Sequence, residues 1–155
     1  MSDEYEYAGF WIRFAASMID TVLVLCITTP LLAKIYGWGY FMGESPGLIA
    51  GPADLLISWV LPAVAIIAFW LARQATPGKM VFKVKVVDAK SGGPLTLGQS
   101  LIRYLGYYVS TIPLGLGLIW VGIDAKKQGW HDKMAGTVVI RAKQTGPEPV
   151  RFEKQ

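Results

Sequence analysis

The sequence predicts an all-α integral membrane protein with two transmembrane helices, a third helical segment broken into a re-entrant hairpin, and a small cytoplasmic β-hairpin. Three observations carry this. Hydrophobic residues make up 53% of the 155 residues and charged ones only 17%, against about 25% charge in a soluble domain. Two long, largely apolar runs match the roughly 20 residues a helix needs to cross a bilayer. The basic residues gather in two segments that a positive-inside arrangement places on one side.

The chain has room for one domain. Six Trp, seven Tyr and six Phe supply rings of the kind that collect at membrane–water boundaries. The net charge of +4 fits a cytoplasmic-side bias better than a nucleic-acid surface. Cys26 is the only cysteine, which excludes an internal disulfide, and in its apolar run it is expected to be a small buried hydrophobe. Asp3, Glu4 and Glu6 precede the first apolar run with no basic residue among them. A signal sequence opens on positive charge, so the first run is expected to be a retained span.

That span extends from Phe10 to Ala33, with Arg13 and Asp20 its only charges and Pro30 near its end. The glycine- and proline-rich stretch 34–54 is expected as a loop whose rings Tyr36, Trp38, Tyr40 and Phe41 rest at one interface. A second span is expected from Leu55 to Ala72, with Asp54 as N-cap, Arg73 as a positive stop and Pro62 bending it. From Arg73 to Arg103 the chain is basic and therefore cytoplasmic, and the N-terminus, two spans back, shares that side. Within it, alternation from Val81 to Val87 and the turn Ser91-Gly92-Gly93-Pro94 predict a surface hairpin over 81–96. Thr137 to Ile140 has strand character and could pair with it.

Residues 97–123 are long enough for one span, yet Pro113, Gly115 and Gly117 interrupt them and Arg103 is embedded in their first half. The tail from Asp124 is basic again, through Lys126, Lys127, Lys133, Arg141 and Lys143. A single crossing would place that tail outside. Two half-length helices, about 97–111 and 113–124, keep both basic segments on one side, provided protein or a wet cavity shields the break. The expected organisation is a cytoplasmic segment 1–9, a membrane domain 10–141 and a disordered cytoplasmic tail 142–155.

Arg13 and Asp20 are two turns apart and project from one helix face, with Ser17 between them and Thr28 further along. Their axial separation is about 10 Å, too long for a direct ion pair, so Asp20 is expected to meet a partner from another segment. Arg13 can snorkel to the headgroups. Asp20 lies too deep for that, and a carboxylate at that depth costs about 2.5–3.5 kcal/mol on insertion scales. It is either a structural partner of Arg13, Arg73 or Arg103, or a proton- or cation-binding group. A second constellation is Asp124 with His131 and Asp132. Its spacing matches no zinc pattern and no nucleophile positioned against the histidine is identifiable in the sequence, so no metal, cofactor or enzymatic role is expected. A turn holding down the re-entrant helices is, and His131 is a candidate pH sensor. Thr76-Pro77-Gly78-Lys79 lacks the glycine spacing of a phosphate loop and is expected to be a turn with its lysine at the headgroups.

Three blocks resemble the RDD family, named for one arginine and two aspartates: Tyr7 to Arg13 leading into Ile19-Asp20, Thr76 to Lys79 with Val84 to Asp88, and Gln128 to Thr137. They occur in family order over roughly residues 7–141. Arg13 and Asp20 match the family's arginine and first aspartate, and the second is Asp124 or Asp132. The resemblance implies a bacterial polytopic membrane protein; with the charge bias above, the expected location is the plasma membrane with both termini cytoplasmic. The resemblance also implies proposed transport, sodium/proton exchange being the most concrete activity attributed to a member.

The leading expectation is a monovalent cation or proton exchanger. In it Asp20, Asp124 and Asp132 bind protons, sodium or another monovalent cation, Arg13 tunes the charge, and a homo-oligomer in membrane lipids completes the pathway. The rival is a non-transporting scaffold that binds partner proteins or anionic lipids through its basic cytoplasmic face.

Overall fold

The chain opens on a short strand and then runs into its longest helix. The computed structural model describes residues 4–44 and 47–143. The expected disordered tail lies, from residue 144 on, outside the described residues. Strand β1 (Tyr5–Tyr7) leads into helix α1 (Phe10–Tyr36). With 27 residues, α1 extends roughly 40 Å and passes the expected end at Ala33. Gly37 stops it, adopting φ 74° while its N–H donates to the Ala33 carbonyl. Pro30 leaves the helix continuous. Cys26 is exposed on α1, which corrects the expectation of a residue buried within the protein.

Beyond a 3-10 turn at Trp38–Tyr40, the Tyr36 and Tyr40 rings stack at 5.5 Å. The second long helix comprises α2 (Pro52–Asp54), a π-helical turn over Leu55–Val60 and α3 (Leu61–Arg73). Pro62 has no N–H to offer the Ser58 carbonyl, and the wider π turn before it accommodates the ring. Asp54 is not the N-cap, a position held by Gly51. Its buried carboxylate instead accepts from the Ala50 N–H and the Tyr40 and Ser58 hydroxyls. Both long helices are long and apolar enough to cross a bilayer.

Gln74, in the left-handed region at φ 57°, ends α3. There follow α4 (Pro77–Val81), β2 (Val84–Asp88) and α5 (Leu97–Thr111), the last started by a Thr96/Gln99 capping box. No hairpin forms over 81–96. Pro94 cannot donate to a ladder, the Asp88 carboxylate closes the turn on Ser91, and residues 95–96 already lead into α5. Strand β2 pairs instead with β3 (Thr137–Ala142), which also takes β1 on its other edge, giving an antiparallel sheet ordered β1-β3-β2. The pairing anticipated for Thr137–Ile140 is therefore present, in a three-stranded sheet.

Residues 97–122 are a hairpin. Helix α5 ends at Thr111, and α6 (Leu116–Ile119) with a 3-10 turn at Trp120–Gly122 follows at a bend of 111°. Helix α7 (Trp130–Ala135) then returns the chain to β3. The sheet carries the core: Val84, Val86 and Val139 pack with Ala8, Leu95 and Trp70, and Ile66, Ile67, Tyr104 and Tyr107 close over them. Further along the long helices, Val22, Leu25, Ile27, Leu61 and Val64 stay exposed. Such an apolar surface suits lipid rather than water.

Candidate functional site

Asp132 is the centre of a buried charged cluster. It enters on the first turn of α7 because Gly129, at the helix start, donates its N–H to Oδ2 at 2.8 Å. Arg13 donates from Nη2 to the same oxygen at 2.6 Å, and Arg103 pairs with Oδ1. Arg13 also donates to the Lys127 carbonyl at 2.8 Å, and Arg103 to Thr137 Oγ1 at 2.8 Å. The Arg103 guanidinium lies 5.2 Å from the Trp70 ring centroid and 5.5 Å from that of Tyr107, both cation–π contacts. Arg13 is thus buried and fixed rather than snorkelling, which corrects the sequence expectation. Burial alone would raise the Asp132 pKa, but Arg103 and Arg13 outweigh it and hold the carboxyl far below its usual range.

His131 stacks on Tyr107 at 4.0 Å. Its Nε2 lies 3.0 Å from Arg13 Nη2, and a guanidinium only donates, so Nε2 accepts and the ring proton resides on Nδ1, 3.2 Å from Ser110 Oγ. A second ring proton would oppose the Arg13 donor. Burial lowers the His131 pKa well below 6.5; Asp132 pulls it upward, while Arg103, Arg13 and Lys79 add to the lowering. The imidazole is therefore neutral near pH 7, with a fixed tautomer.

Asp20 lies apart from this cluster. Thr76 Oγ1 and the Gly78 N–H, at 2.7 Å, donate to its two carboxylate oxygens. The partner from another segment is thus the Thr76-Pro77-Gly78-Lys79 block, and the two groups that bond the carboxylate directly are uncharged. A Cβ on Gly78 would sit 2.0 Å from the Ala16 carbonyl oxygen, so only glycine lets α4 approach α1 this closely. Lys79 is buried at 4% exposure, not placed at headgroups, because that approach turns it inward.

Asp20, Ser17 and Thr21 line one side of a cavity of about 580 Å³ between α1, α3, α4 and α5, with Thr76, Lys79 and Tyr107 also at its wall. Leu23, Val24, Ile27, Ile66 and Phe69 supply apolar walls. Asp124 is elsewhere: it pairs with Lys133 at 2.8 Å and accepts from the Lys126 and Gln128 N–H groups, which lower its pKa. Of the three carboxylates expected to bind ions, Asp132 meets two arginines, Asp124 a lysine, and Asp20 the cavity.

Sequence reasoning missed Lys79, Tyr107, Trp70 and Ser110 as parts of this neighbourhood. Gly106 gave a usable signal: a Cβ there would sit 2.8 Å from the His131 Cα, so a glycine inside an otherwise amphipathic helix marked where α7 crosses α5.

The RDD family model matches residues 7–136. The uncharacterized protein RP437 of Rickettsia prowazekii is 38% identical over 76 residues, which cover 49% of this chain and 42% of that protein. This chain thus spans less than half the length of that relative. The uncharacterized membrane protein YteJ of Bacillus subtilis is 28% identical over 140 residues, covering 90% of this chain and 84% of YteJ. YckC of the same organism is 33% identical over 145 residues, covering 89% and 87%. No solved structure matches the chain. With Arg13, Asp20 and Asp132 in the places described and the family model covering most of its length, the chain belongs to the RDD family.

Proposed function

We propose that this RDD-family membrane protein moves a proton or a monovalent cation across the bilayer, with Asp20 as the group that loads and releases it. One observation carries the reading: Asp20 faces a cavity of about 580 Å³ and is held by a hydroxyl and a backbone N–H rather than by a cation. A carboxylate at such depth needs a proton, a cation or water to offset its charge. Ser17 and Thr21 donate their hydroxyl protons back to α1 carbonyls, which leaves their oxygen lone pairs available. Oxygen ligands of this kind suit a hard cation. Asp132 and Asp124 serve as structural anchors in this reading, and Arg13 sets the charge balance by occupying Asp132. A homo-oligomer is the transporting unit we expect, since two long helices and one hairpin enclose little by themselves.

The test is reconstitution in liposomes loaded with a pH dye under an imposed sodium gradient. Wild type is expected to move protons, and Asp20→Asn to reduce the rate at least about tenfold, the scale of a lost 1.4 kcal/mol of interaction. Equal rates in the two proteins would overturn the role of Asp20. A second reading, the scaffold, rests on Arg73, Lys83 and Lys85, which line one basic hollow beside the sheet. It gains if correctly folded wild type shows no flux while binding to acidic vesicles depends on those three side chains.

A further inference from the structure

The charges around the cavity do not balance. Arg13, Arg103 and Lys79 are buried cations, whereas the carboxylates near them are Asp132 and Asp20. Three cations against two carboxylates, with His131 neutral, leave one positive charge over. Arg13 and Arg103 are both engaged by Asp132. Lys79 lines the cavity, and among the described residues it makes no ion pair or hydrogen bond. A buried ammonium with no hydrogen-bonding partner is costly, and with Asp132 already engaged by two arginines it calls for an acceptor that carries negative charge.

The rest of the cavity defines what that acceptor is attached to. Leu23 and Phe69 line it and are also exposed on the outer surface of α1 and α3. The apolar end is therefore continuous with the face that lipid would cover. Its volume falls within the roughly 300–1,000 Å³ of ordinary ligand pockets. We propose that this cavity binds an anionic amphiphile, its acidic head on Lys79 and its apolar body between α1 and α3. Such a ligand supplies the missing negative charge and fills the apolar space. It enters sideways from the bilayer, where apolar molecules are concentrated. The inference does not depend on Asp20 carrying an ion, because Asp20 contributes only local charge.

The purified full-length chain in neutral detergent tests it by native mass spectrometry, titrated separately with phosphatidylglycerol, oleate and phosphatidylcholine. Tighter binding of an acidic probe than of phosphatidylcholine, by about tenfold or more, is expected. Phosphatidylglycerol alone would identify a phospholipid phosphate, and oleate alone a free carboxylate. Lys79→Gln is expected to abolish the preference and Lys79→Arg to keep it. Asp20→Asn is expected to strengthen acidic binding, the reverse of its effect on flux, so the two proposals fail independently. Should Lys79→Gln misfold, Ala65→Trp fills the cavity from α3 without changing charge and is expected to lose binding of both acidic probes. Equal binding of acidic and neutral lipids, or an unchanged preference in Lys79→Gln, would overturn the proposal.

Discussion

Buried charge dominates this molecule at the scale of the residue. Asp132 sits between Arg13 and Arg103 with almost no solvent, and such an arrangement holds only if each partner stays. Removing one member of a buried ion pair typically costs about 3–5 kcal/mol, because the survivor is left uncompensated. His131 adds a pH term to the same cluster. Its folded pKa is depressed, so the unfolded chain takes up a proton more readily. The stabilisation it gives is complete above the unfolded value of about 6.5 and declines as pH falls below it. The thermal midpoint in detergent is expected to drop from pH 7 to pH 5, by up to about 1.4 kcal/mol of stability per pH unit from this one group. His131→Gln is expected to be less stable at pH 7 but to show a shallower slope across that interval. Equal slopes would mean that the ring titrates normally.

Helix contact geometry decides the next scale. Gly78 allows α4 to touch α1 at Ala16, and this contact delivers both the Gly78 N–H and the Thr76 hydroxyl to Asp20. The obstructing atom for any larger residue is a backbone oxygen, which cannot rotate away. Gly78→Ala is expected to cost about 1–3 kcal/mol, the range for overpacking, and to reduce Asp20-dependent flux with it. Ser17→Ala, which leaves the contact intact, provides the comparison by thermal unfolding. The same logic explains the hairpin. Gly115 takes φ 75° at the bend, and a Cβ on Gly117 would meet the Ser110 Cα at 2.6 Å. These glycines looked like simple interruptions in the sequence; in the fold they are the points where α5 turns and α6 packs back on it.

At the scale of the whole molecule, one sheet ties together strands from the beginning, middle and end of the described chain. Strands that pair must lie on one side of a bilayer. A single crossing by residues 97–122 would separate β2 from β3, so the pairing requires an even number of passages or none. Single cysteines introduced at Lys90 and Lys126 in a Cys26→Ser background are therefore expected to react with a membrane-impermeant maleimide from the same side. One at Met42, beyond α1, is expected to react from the other. Labelling of Lys90→Cys and Lys126→Cys from opposite sides would contradict the sheet. The bilayer also bears on Cys26, whose apolar run made it look like a core residue. Its helix face points outward, so in a bilayer lipid, not protein, would cover it.

The sequence by itself determined the two long apolar helices, the break in the third and the family. Each of these follows from local composition: apolar length, charge bias, glycine and proline. It also singled out Arg13, Asp20, His131 and Asp132, because charged groups in apolar surroundings stand out. What it left open was which charge meets which, since that depends on contacts between residues up to 135 positions apart. Only the tertiary structure paired Arg13 with Asp132, sent Asp20 to Thr76 and Gly78, and turned Lys79 inward. The physical reason is that buried charges settle according to the donors and acceptors their neighbours supply, and those neighbours are chosen by how helices and strands pack.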